Sequence, residues 1–239
     1  MPTVNFLTKL SMSTVGAAVI ALGAAGSAQA LSITIGAPGD PNNGNCIPFG
    51  CGQKFQQIYN ANLFSSPILI DTISFFNKNS FPGSIDAANY TINLSTTSKA
   101  VNGLSNIFVD NIGANNQSFF VGFLDGPISN GKFSITGNSF LYDPSQGNLL
   151  LDISKDGGNN FSVFLDSQNG SAPSGSISRA FSFDNSPSGS TNDNYGLVTE
   201  FSDSAQSVPE PASLIGILGL GAFGITSLCK RKHQAAVKA

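Results

Sequence analysis

The sequence predicts an all-β chain: one jelly-roll-like β-sandwich of about nine to eleven strands, set between two terminal targeting segments. Three observations carry this. Short apolar runs of four to eight residues, alternating or continuous, recur between turn-forming clusters along the middle of the chain. Between residues 31 and 207 the acids are twelve Asp against one Glu, Glu200, and Asp favours turns where Glu favours helices. Phe, with 19 residues against no Trp, supplies the large apolar volume that one core of this size needs.

Taken in order, the expected strands are Ser32–Ile35, Ile68–Phe76, Tyr90–Leu94, Phe119–Leu124, Lys132–Ile135, Leu149–Ile153, Phe161–Leu165, Ile177–Phe183 and Leu197–Phe201. Asp156-Gly157-Gly158-Asn159-Asn160 lies between two of these runs and reads as a hairpin, since Gly and Asn tolerate positive φ. Ala37–Gly52 and Asn185–Asn194 read as loops. No repeat of constant period is present, which argues against a solenoid or propeller.

Residues 1–30 read as a secretory signal peptide. Lys9 gives the positive start, Leu10–Ala25 the apolar stretch, and Ala28-Gln29-Ala30 the small-x-small pattern that places signal-peptidase cleavage before Leu31. At the other end, residues 212–229 contain no charge and are followed by Lys230-Arg231-Lys232-His233. As a helix they would reach roughly 27 Å, close to a hydrocarbon core of about 30 Å. The basic flank, within residues 230–239, would hold that end in the cytoplasm. The domain between, residues 31–201 with a linker at 202–208, would then stand on the far side of the membrane.

Pro209-Glu210-Pro211 precedes the apolar stretch. Each Pro lacks an N–H and fixes φ, so this segment is extended and accessible. Pro-Glu-Pro, then an uncharged span, then a Lys/Arg cluster resembles the PEP-CTERM sorting signal of bacterial exported proteins, here over residues 209–232. The resemblance implies recognition by an exosortase-type transpeptidase, export across the inner membrane, transient anchoring by the C-terminal helix, and a final place at the cell surface or outside the cell. Phe140–Ile153, with Gln56-Gln57-Ile58-Tyr59-Asn60-Ala61 and Leu94-Ser95-Thr96-Thr97, resembles the β-rich domain of many such proteins. That likeness implies the fold and no chemistry.

The net charge of −3 for the whole chain, and six basic against thirteen acidic residues (−7) over residues 31–207, argue against a nucleic-acid partner. Cys46 and Cys51 are the two cysteines of the exported domain. An even pair in an oxidising compartment, with Pro48 and Gly50 between, reads as a disulfide. The sole histidine is His233 in the basic tail, so His-dependent nucleophilic catalysis and His-ligated metals are excluded from the exported domain. The chain is accordingly read as non-enzymatic, with a carboxylate-pair glycosidase as the weaker alternative.

No cofactor is expected, and structural calcium is the one ion the acidic loops leave open. Asp152–Gly157 imitates the start of an EF-hand loop, but the twelfth position is Val163 rather than Glu. Asp184 with Asp193 and Asn194 is a second candidate. The leading functional expectation is a structural or adhesive component of the envelope or exopolysaccharide matrix. The alternative is a carbohydrate-binding module, calcium-dependent or not, with Tyr195 as platform beside Asp193 and Asn194.

Overall fold

A computed structural model describes residues 31–39, 44–77, 83–169 and 175–203. The expected signal peptide with Ala28 and Ala30, the sorting motif Pro209-Glu210-Pro211, the apolar stretch 212–229 and the flank Lys230-Arg231-Lys232 lie outside the described residues. The strands are β1 (Ser32–Ile35), β2 (Gly44–Asn45), β3 (Lys54–Tyr59), β4 (Ile68–Phe76), β5 (Ser84–Thr97), β6 (Gln117–Pro127) and β7 (Lys132–Tyr142). They continue as β8 (Asn148–Asp156), β9 (Leu165–Asn169), β10 (Ile177–Ser182), β11 (Ser190–Asp193), β12 (Tyr195–Leu197) and β13 (Thr199–Ser202). Eleven of these thirteen have four or more residues.

The pairings follow a nested plan. β5 pairs with β6, β4 with β7, β3 with β8 and β1 with β13, all antiparallel. These four pairs fall alternately into two sheets, ordered β1-β13-β4-β7 and β11-β10-β3-β8-β5-β6. One long hairpin folded across itself in this way is the jelly roll, in which most strands find partners on both sides. The segment between β8 and β13 is an insertion. Its β10 and β11 widen the larger sheet, while β9 joins β12 and β2 in a small third sheet.

Between the two main sheets lie Phe55, Tyr59, Ile73, Phe75, Tyr90, Ile92, Leu149, Leu151, Ile153 and Phe201, all fully buried. Aromatic edges lock the layers: the rings of Tyr59 and Phe201 meet at 5.0 Å, nearly perpendicular.

Several expected elements take a different form. Ala37–Gly52 is not a surface loop throughout. It carries β2, and the Cys46–Cys51 disulfide, with Cα atoms 5.2 Å apart, turns Phe49 inward at zero exposure. The Phe49 ring packs on Phe75 and Phe133 at 4.9 Å each and on Tyr90 at 5.4 Å, closing that end of the sandwich.

The Asp156–Asn160 turn is not a hairpin. β8 already has β3 and β5 on its two sides, so no edge is left for the chain that follows. Phe161–Phe164 is accordingly not strand. Phe161 has φ +54°, its amide donates to the Gly50 carbonyl, and Val163 packs so close to Gly50 that a side chain there would collide at 2.8 Å. The Leu197–Phe201 run breaks at Val198 into β12 and β13. Asn185–Asn194 contains the exposed edge strand β11.

Below Phe49 lies a fully buried ion pair. The Lys155 ammonium is 2.6 Å from Asp86, with both side chains at zero exposure. Asp86 also accepts from the Ser162 hydroxyl, and its amide donates to the Phe49 carbonyl. Burial pulls the Lys155 ammonium below the usual lysine range, opposed by Asp86 itself. The pair thus ties β5, β8, the disulfide loop and the irregular 157–162 segment together.

Removing one member strands the other charge. Asp86→Ala is expected to cost about 3–5 kcal/mol in urea unfolding, and Asp86→Leu with Lys155→Met to cost clearly less. Equal costs would show that the charge is not what matters. Three tyrosines give a pH test. Burial raises the phenols of Tyr59 and Tyr90 well above their ordinary value and that of Tyr142 to about 12. Each stays neutral where the unfolded chain ionises, so its stabilisation is complete below about pH 10 and is lost as pH rises through the folded value. Tyrosinate absorbance from these three should therefore appear with unfolding, and early ionisation in a folded domain would contradict their burial.

Candidate functional site

The sequence pointed to Tyr195, Asp193 and Asn194. In the structure Tyr195 is committed to the fold. Its hydroxyl meets the Ser167 hydroxyl at 3.2 Å and accepts from the Asn45 amide at 3.4 Å. One ring face is covered by the Arg179 guanidinium, 4.0 Å from the centroid. Arg179 also lies over Phe181 at 4.6 Å and donates twice to Asn192. Its burial pushes the guanidinium down to about 10. Asn194, at φ +49°, accepts from Asn102 and from the Gly175 amide. Asp193 is exposed on the edge strand β11.

The calcium candidates are engaged likewise. Asp152 accepts from Gln56, and burial raises its carboxyl above the usual range. Asp156 accepts two hydrogen bonds from Asn89. Asp184 accepts from the Ser182 hydroxyl and the Ser186 amide, which hold its carboxyl below the usual range. Among the described residues no three acidic, His or Cys groups converge as metal ligands.

A different surface gathers polar side chains. Register places Phe123, Asn89 and Asp156 side by side across β6, β5 and β8 on the outer face of the larger sheet. The next row is Val121, Thr91, Ser154, Lys54 and Ser182. The row beyond contains Asn93, Asp152 and Gln56. It is roofed by the β5–β6 crossover, because Gln56 donates to the Phe108 carbonyl and accepts from Asn111.

Where the roof ends, a shallow hollow of about 190 Å³ opens, lined by Asn89, Thr91, Ser154, Lys155, Asp156 and Asn185. Lys155 turns its ammonium into the core. Asn185 is carried by the turn that Asp184 organises. Beside the hollow, Phe123 is 61% and Val121 69% exposed. Amide, hydroxyl and carboxylate groups thus stand next to an exposed aromatic ring. Such a surface can meet a ligand that has both a hydroxylated edge and an apolar C–H face. The sequence carried one signal for this site, the alternation of polar residues in β5 and β8. The register that assembles them was not legible.

Fold and face together define a jelly-roll domain with a shallow polar face. Residues 207–232 match the family model described as the PEP-CTERM protein-sorting motif. The chain therefore carries a PEP-CTERM sorting signal, the C-terminal element by which exosortases handle exported, membrane-anchored proteins. No curated protein and no solved structure matches the chain.

Proposed function

We propose that the jelly-roll domain serves at the cell surface or in the extracellular matrix as a structural or adhesive component, and that it holds polysaccharide without chemically altering it. The observation that supports this reading is the hollow of Asn89, Thr91, Ser154, Asp156 and Asn185 beside exposed Phe123. Sugar hydroxyls would meet the amides and the carboxylate, and the apolar ring face would meet Phe123. The same face supports the carbohydrate-binding-module alternative in a relocated form, away from Tyr195. In this reading no calcium is needed, because the carboxylate beside the hollow, Asp156, is bonded by Asn89.

Affinity electrophoresis through gels containing the host's own exopolysaccharide tests the proposal. Retardation should be saturable and insensitive to chelator. Phe123→Ala and Asn185→Ala should each weaken it about five- to thirtyfold, the usual cost of truncating a central contact. Unchanged retardation in both variants, or none in the unmodified protein, would sink the reading, and turnover of the polysaccharide would replace it with an enzyme.

Sorting has its own test. Replacing Pro209, Glu210 and Pro211 with Ala should leave export intact and retain the protein in the inner membrane, read by fractionation. Normal arrival of the altered protein at the surface would contradict the role given to that motif.

A further inference from the structure

The first and last strands of the domain end on one contact. The antiparallel ladder of β1 and β13 runs from Ile35↔Thr199 to Ser32↔Ser202. One residue further, the Asp203 amide donates to the Leu31 carbonyl at 3.1 Å. The reciprocal bond is made by a side chain: the Leu31 nitrogen donates to the Asp203 carboxylate at 2.6 Å. That nitrogen is the one which signal-peptide cleavage would set free. Hydrolysis of the Ala30–Leu31 amide consumes one water and leaves a carboxylate on Ala30 and an ammonium on Leu31.

We propose that Asp203 is the receptor for the mature N-terminus: cleavage before Leu31 converts an amide-to-carboxylate hydrogen bond into an ion pair that staples β1 to the strand leading into the sorting signal. The inference rests on the reading of residues 1–30 as a cleaved signal peptide.

The chemistry follows from position. An amide N–H donates one hydrogen bond and is uncharged, whereas an ammonium donates three and carries charge, so the bond to the Asp203 carboxylate becomes charged on both sides. Other charges near these strands are already engaged or buried. Glu200 on β13 pairs with Lys132 and accepts from Thr34. Asp71 is buried on β4, and β1 contains no charged side chain. Asp203 is thus the carboxylate aligned with the new terminus. Processing would strengthen the end of an edge strand four residues long that already pairs with β13, so that an exosortase would meet a domain whose first and last strands are tied at the point from which the tail departs.

The test uses the full chain, exported and processed in its native host. Intact mass and N-terminal sequencing first establish the mature end. The Leu31 amine is then acylated near neutral pH, and the rate is read on the N-terminal peptide. A carboxylate beside the ammonium favours the unreactive charged form, so the rate should be about three- to tenfold lower than in Asp203→Asn. Asp203→Glu, which keeps the charge, should restore part of the protection. Equal rates in the unmodified protein and Asp203→Asn, with Leu31 as first residue, would overturn the staple while leaving the cleavage reading intact. A mature end other than Leu31 would overturn both, and the mass would show it before any variant is made.

Discussion

The arrangement of this domain depends on two adjacent glutamines in β3. Gln56 and Gln57 are both at zero exposure, and alternation along a strand sends them to opposite faces of the sheet. Gln57 points between the sheets, where it donates to the Leu197 carbonyl and accepts from the Leu197 amide. It therefore acts as a stretch of strand for a residue where the chain leaves the small sheet for β13. Gln56 points outward and holds the β5–β6 crossover through Phe108 and Asn111. A buried amide without partners costs free energy, and here each is satisfied only if both layers are in register. The core supplies most of the driving force, but it is indifferent to small slips. These amides are not, and two residues later Tyr59 adds a third inter-sheet bond, to Thr199.

The same logic accounts for the sequence phrases that resemble other exported β-domains. In Gln56–Ala61, Asn60 follows these residues and caps the short helical turn 61–63. In Phe140–Ile153, Tyr142 donates to the Gly147 carbonyl, Asp143 caps the turn 144–146, and Asn148 bridges Ala61 to Lys99. In Leu94–Thr97, Ser95 and Thr96 receive Gly113 and Asn115 of the crossover. None of these side chains lines the hollow. They are joints of the fold.

How much was legible in the sequence follows from the kind of signal each element carries. β1, β4 and β10 are apolar-rich runs bounded by turn residues, and the sequence places each within a residue, although only β1 is an edge strand and the burial of β4 and β10 is nearly continuous rather than alternating. β3 was not foreseen because Gln56-Gln57 reads as polar, although five of its six residues are buried. The hairpin expected at Asp156–Asn160 had the right turn residues, and its failure is topological, since a strand with two partners cannot acquire a third. Cysteine spacing carried the disulfide, but nothing in the spacing foretold that the loop would drive Phe49 into the core. For the site, Tyr195 drew attention as a tyrosine in a polar loop. Its cover, Arg179, lies sixteen residues earlier in the chain, and only strand pairing brings the two together.

The two outer faces of the sandwich are both wetted with very little charge, yet they are not equivalent. On the smaller sheet, Thr34 donates to Glu200, Ser74 meets Ser134 at 2.8 Å and Thr72 meets Thr136 at 3.3 Å. Those groups satisfy one another along rows that cross the strands, which leaves them little to offer a partner. On the larger sheet no hydrogen bond joins the side chains of Thr91, Ser154 or Asn185 to another described residue, and an exposed Phe stands beside them. Exposed groups that the fold does not use are open to solvent, and water at such groups is displaced at small cost by hydroxyls that reproduce its bonds. The partly unsatisfied patch of Thr91, Ser154 and Asn185, set against the self-satisfied smaller sheet, is therefore what favours the larger sheet for the proposed contact with hydrated polymer, on a domain otherwise short of charge with which to bind anything.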